Sequence, residues 1–204
     1  MTVKDIYRKY QIMPQLSLHM RRVAGVGKLI LDGWKEEIDR DLVIRTLLLH
    51  DMGNIVKFDL TNQLMPIENI EYLQNVQRKW WNKYGRDTHQ VTKKIVAELG
   101  QEGVMEVIDQ EHEGYVNGDT RSILKQDWPA KILAYCDVRV TPVGVVPMKT
   151  RIEDLQKRYG RELSWYDFLY CLEEKVKGMT TTDLSAITEE AVAPFFDEWL
   201  TYAI

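Results

Sequence analysis

Apolar residues recur at three- and four-residue intervals along nearly the whole of this chain, and few segments alternate every second residue. The first period belongs to helices with one buried face; alternation would have marked strands. The fold class predicted is therefore all-α, a helical bundle. Helices are predicted over about 15–31, from the N-cap Asp39 to near Gly53, and over about 68–83 and 88–99. A shorter one runs to about 112, and another from Asp127 to about 140 with Pro129 in its first turn. Three more cover about 149–159, 165–177 and 184–203. Ser164 and Asp167 resemble a capping box for the second of these, and Pro194 should kink or break the third. The stretch 54–67 up to Pro66, "GYVNGDTR" and "TPVGVVP" read as loops.

With 204 residues, 45% hydrophobic and 28% charged, the chain suits one domain with a genuine core. Its organised part is expected over about 15–141, with a C-terminal helical extension over about 149–204. A net charge of −4 offers no general attraction to long nucleic acid or to acidic membranes, so a phosphate-bearing partner must be held by local cations. No apolar run approaches the roughly 20 residues of a membrane span. The opening "MTVKDIYRKYQIM" lacks a signal-peptide pattern, and Cys136 and Cys171 show no CxxC spacing. A cytoplasmic protein with reduced thiols is the expectation.

Polar groups on apolar faces carry the functional signal. His19 lies three residues after Leu16 and four before Val23; His50 lies three after Leu47 and seven after Val43. His112 follows Ile108 by four, and Asp137 follows Leu133 by four. On a helix these spacings share one stripe. A lone histidine there is most often a core residue satisfied by one hydrogen bond. A carboxylate such as Asp137 is costlier to bury without a partner charge or metal, for which Arg22 or Arg139 are candidates. Adjacent His50 and Asp51 point about 100° apart within a helix, yet at a helix end they can bracket an ion beyond the last turn. His89, near a helix start, has only Val96 as a clear apolar neighbour on its stripe.

A lone His19, then "LLLHDMGNIVK", then a distant Asp137 in "AKILAYCDVRV" resembles the HD-domain superfamily of metal-dependent phosphohydrolases. His89 in "DTHQVTKKIVAELG" and His112 in "QEHEGYVNG" fall in the slots of the subset with a second metal site. The chain departs from relatives at Asn54, where many carry Lys, and at Glu111-His112, where cyclic-dinucleotide hydrolases show two histidines. Its "GYVNG" is not their "GYP", so cyclic-dinucleotide cleavage is not assigned.

The resemblance implies a first metal on His19, His50, Asp51 and Asp137, and a second sharing Asp51 and adding His89 and His112. Such nitrogen and oxygen ligands suit Mn, Fe, Co, Ni or Zn, with Mg less well matched. One or two such ions would activate water against a small phosphate ester, a nucleotide being one option. Asp51, Lys57 and Glu111 are candidate catalytic residues, and Arg22, Arg139 and Arg151 candidate phosphate clamps. Each of the four cations, Arg22, Lys57, Arg139 and Arg151, is more often a solvated surface group. The same six ligands also suit an HD-type di-iron oxygenase, and a nucleotide-binding regulatory module without turnover is a third option. Trp80, Trp81 and Tyr84 are better read as packing than as a base-stacking platform. Trp165, Tyr166, Phe168, Phe195, Phe196 and Trp199 offer either a homodimer surface or ordinary core.

Overall fold

The computed structural model describes residues 1–61, 68–116 and 120–204. Among these residues helices dominate, with one two-stranded hairpin as the sheet. The helix α1 (Val3–Lys9), which periodicity alone did not announce, opens on a reciprocal capping box between Thr2 and Asp5. It buries Val3, Ile6 and Tyr7. The longest helix, α2 (Pro14–Asp32), begins on a proline, whose missing N–H costs nothing in a first turn. Asp39 caps α3 (Arg40–Leu49) by accepting from Leu42 N at 2.9 Å.

Helices α2 and α3 pack closely because of Gly27: a Cβ there would lie 2.1 Å from Leu47 Cδ1. After α3 the stretch predicted as a loop begins with a short 3₁₀ segment, Asn54–Lys57; its residues 62–67 lie outside those described. Then follow α4 (Ile70–Tyr84), α5 (Thr88–Glu98), α6 (Glu102–Val116) and α7 (Trp128–Val138). Trp80 and Tyr84 are buried, and Trp81 Nε1 donates to Val56 O at 2.9 Å, so this aromatic group is packing. α6 runs past the predicted end near 112. Of the "GYVNGDTR" stretch, residues 117–119 lie outside the described part and a 3₁₀ turn, Thr120–Lys125, follows.

"TPVGVVP" is not a plain loop. Val140–Thr141 (β1) pairs antiparallel with Gly144–Val145 (β2), and Gly144, at φ +141°, supplies a backbone conformation that other residues rarely adopt. β-branched residues flanking a proline-containing turn are the local signal that helical periodicity hid.

Beyond the hairpin lie α8 (Met148–Tyr159) and α9 (Asp167–Met179), then α10 (Glu189–Val192) and α11 (Phe196–Thr201). Ser164 does not cap α9; it sits in a 3₁₀ turn, and Tyr166 occupies the cap without a side-chain bond. The last predicted helix is broken at Pro194, where a 3₁₀ turn separates α10 from α11. Val3 N donates to Tyr202 O and Ile204 N to Met1 O, so both ends of the chain meet.

The extension is not an appendage, for Leu172, Val176, Val192 and Trp199 belong to the same core as α2, α3 and α7. Arg139, only 1% exposed, ties it down. Its guanidinium donates to Tyr135 Oη and to the carbonyls of Val146, Leu184 and Ile187. Tyr166, Phe168 and Trp199 are likewise buried inside the chain. No described helix is long and apolar enough to cross a membrane.

Candidate metal centre

Helices α2, α3 and α7 pack against one another, and each brings one element of the site to the same point. His19 projects from the stripe of α2 that also buries Leu16 and Val23. His50 is the C-cap of α3, still with helical φ and ψ, and Asp51 begins the turn that follows. Asp137 is the penultimate residue of α7. The turn after Asp51 holds its place because Gly53 N donates to Thr92 Oγ1 at 2.9 Å. A Cβ on Gly53 would lie 2.6 Å from Thr88 O and 2.7 Å from Thr92 N. That glycine, at φ −85°, is not in the left-handed region; it admits close contact with α5.

Ligand atoms of His19, His50, Asp51 and Asp137 all lie within 4.8 Å of one another. His19 Nε2 is 2.9 Å from Asp137 Oδ1 and 3.4 Å from Asp51 Oδ2; His50 Nε2 is 3.6 Å and 3.8 Å from the same two oxygens. Atoms sharing an ion at roughly 2.0–2.2 Å stand about 3–4 Å apart, so the spacing fits a common ion. Both Nε2 atoms are buried and lack a partner with hydrogen-bond geometry. Such orphaned atoms are costly unless something else binds them. His50 Nδ1 donates to Leu47 O at 2.9 Å, because a carbonyl can only accept. In the neutral imidazole that leaves the Nε2 lone pair facing the cluster, the orientation a metal ligand needs.

The electrostatics agree. Burial works against a charged His19, but its contacts with Asp137 and Asp51 outweigh that and carry its pKa up to about 9. His50 is raised as well, against burial, by Asp51 and Asp137. Burial alone would raise Asp137, yet His19 and His50 hold it well below the usual carboxylate range. Without a cation, the raised proton affinity of the two imidazoles lets them offset charge on the two carboxylates.

The other two histidines, expected at a second metal, are not part of that four-member group. His89, on α5, places Nε2 2.9 Å from Asp109 Oδ1, and its ring stacks on His112 of α6 at 3.8 Å between centroids. Lys93 pairs with the same Asp109 at 2.7 Å, and an ammonium there disfavours a second divalent ion. Among the described residues the four-member cluster is the one group of side chains close enough together that it could hold a metal ion. Asp109 was missed in the sequence, although its position three residues before His112 puts both on one face of α6.

Two of the expected phosphate clamps are committed elsewhere. Arg22 forms a two-pronged pair with Glu189, with contacts of 2.7 and 2.8 Å, and Glu189 also accepts from Val145 N. This joins α2, the hairpin and α10. Arg139 is the buried brace described above, and no donor is left for a substrate. Following a ligand by two or three residues did not reveal where either guanidinium points. Arg151 differs: it lines a cavity of about 380 Å³ together with Glu111 and Asp137. Burial pushes the Glu111 carboxyl up to about 8, Asp137 adding to the shift while His50 and Lys57 oppose it. Lys57 itself is exposed at the end of the 3₁₀ segment.

No curated protein and no solved structure gives a significant match. The family model for the HD domain matches residues 16–139, from just before His19 to just past Asp137. HD domains are typical of metal-dependent hydrolases and bind divalent metals, which accords with the His/Asp cluster at their centre. By a match that covers more than half its length and all four clustered ligands, this chain belongs to the HD-domain family.

Proposed function

We infer that the protein is a phosphohydrolase that uses one divalent metal ion on His19, His50, Asp51 and Asp137 to hydrolyse a small phosphate ester. The observation carrying this reading is the convergence of those four side chains with two buried imidazole nitrogens left without hydrogen bonds. An ion held there supplies Lewis acidity toward a phosphoryl oxygen and makes water a stronger acid. The mixed nitrogen and oxygen donors suit Mn, Fe, Co, Ni or Zn better than Mg.

The chain's own groups do the rest. Leu47 O fixes the His50 ring, so its Nε2 needs no reorientation when substrate arrives. Glu111, on the wall shared with Asp137, is the carboxyl set to pass a proton between water and the leaving oxygen. Arg151 is the cation best situated to hold an equatorial phosphate oxygen. Lys57, whose charge reaches Glu111, adds a second positive group near the cavity.

The contact of His89 with Asp109, with His112 stacked on the His89 ring, favours hydrolysis over the di-iron oxygenase alternative, which needs both sets of ligands around two ions. Phosphate release from a panel of monoesters and diesters by manganese-loaded protein tests this. Activity that disappears in Asp51→Asn and Asp137→Asn is expected. Oxygen uptake by anaerobically iron-loaded protein, with no phosphate release, would overturn it.

A further inference from the structure

The cavity beside the metal centre is built on its far side by residues that follow the family-matched part of the chain. Glu111 and Asp137 form the end next to the cluster; Arg151, Tyr159, Arg161 and Trp165 come from α8 and the turn leading into α9. Its volume of about 380 Å³ lies near the low end of small-molecule sites, roughly 300–1,000 Å³, enough for a ring and a phosphoryl arm and too small for a polymer.

The wall has two chemical characters. One is flat and apolar: Trp165 is 40% and Tyr159 67% exposed, and the Arg161 guanidinium lies over the Trp165 ring at 4.2 Å. Large aromatic faces left in water are surface that a planar ligand would cover. The other is cationic. Asp154 pairs with Arg151 at 2.7 Å and with Arg158 at 2.8 Å, so one carboxylate serves two guanidiniums and a positive charge remains. Arg151 Nε is buried without a hydrogen-bond partner, and so is the hydroxyl of Tyr166, a cavity-lining residue that is only 5% exposed. Both are polar atoms that a bound anion or oxygen-bearing ligand can satisfy.

We propose that this pocket selects phosphate esters whose organic group is a planar ring, seating the ring against Trp165 and Tyr159 and the phosphoryl group between Arg151 and the metal cluster. Specificity then resides in the extension while the HD core supplies the chemistry. The proposal rests on the phosphohydrolase reading for its choice of ligand.

Calorimetry on the full-length, manganese-loaded protein with non-hydrolysable probes tests the pocket separately from turnover. 1-Naphthylphosphonate should bind at least tenfold more tightly than propylphosphonate. Trp165→Ala should remove most of that preference, a loss of roughly tenfold for a stacking residue, and Trp165→Phe should keep it. Arg151→Gln should weaken both probes alike. Equal or undetectable binding of the two probes, or a ring preference that survives Trp165→Ala, overturns the proposal. Phosphate release assayed in parallel separates the two claims. Ring-selective binding without hydrolysis of any ester sinks the hydrolase reading and leaves the pocket standing; hydrolysis without ring selectivity does the reverse.

Discussion

His19 Nε2 stands 2.9 Å from Asp137 Oδ1, although the two residues lie near opposite ends of the family-matched segment. Helices α2 and α7 must pack for that contact to exist, so the site is a product of the core and not of any local motif. The same dependence makes its consequences measurable.

Metal stoichiometry should be one per chain. His112→Ala should leave both the stoichiometry and the affinity of manganese within about threefold of wild type, because His112 stacks on His89 and is not among the four clustered ligands. Asp137→Asn should weaken binding by a hundredfold or more, beyond the roughly 10–100-fold typical of losing an outer-sphere partner. Elemental analysis and competition titration read both; two ions per chain lost on His112→Ala would reject the mononuclear arrangement.

Metal uptake should release protons at neutral pH. In the metal-free protein His19 has a folded pKa of about 9, so at pH 7 its imidazole is protonated. A ligand nitrogen must be free, so that proton has to leave as the ion enters. Apparent affinity should therefore rise with pH from 7 toward 9 and flatten above it. Calorimetry in buffers of different ionisation enthalpy measures the release, and pH-independent binding over this range would contradict it.

Arg139→Ala should act on stability. Removing the guanidinium leaves the carbonyls of Val146, Leu184 and Ile187 and the Tyr135 hydroxyl short of a partner in a buried site. Breaking a buried network of this kind costs about 3–5 kcal/mol. Urea denaturation should show that loss, with metal affinity of the folded fraction little changed. A variant of normal stability with weakened phosphate binding would restore the role expected from sequence.

Gly53→Ala should damage both stability and the site. The new Cβ would meet backbone atoms of α5 at 2.6 and 2.7 Å, so a helix must move and not merely a side chain. Overpacking of this sort costs about 1–3 kcal/mol, and the turn that moves carries Asp51. Gly27→Ala meets only the end of Leu47, a flexible side chain, and should cost less in metal affinity. Melting curves with and without manganese separate the two.

The helical class and the bundle helices were legible because periodicity reports which face of a helix is buried; that His19, His50, Asp51 and Asp137 share one site was what the resemblance to the HD domain implied. His19, His50 and Asp137 each announced themselves as polar groups on such a face. The pairing of His89 with Asp109 was not legible, since a family slot says where a side chain begins and not which neighbour it meets. Arg22 and Arg139 were misread for a related reason: the groups they bind, Glu189 and the carbonyls of Leu184 and Ile187, arrive from the far end of the chain. The C-terminal region fragmented because Pro194 and short capped turns, Asp183 to Ser185 and Thr188 to Ala191, interrupt a pattern that looked continuous.

Anomalous diffraction from crystals grown with manganese addresses the central claim most directly. One strong peak is expected, within bonding distance of His19 Nε2, His50 Nε2 and carboxylate oxygens of Asp51 and Asp137. A peak lying instead between His89 and His112, or no peak near the four side chains, would contradict the account.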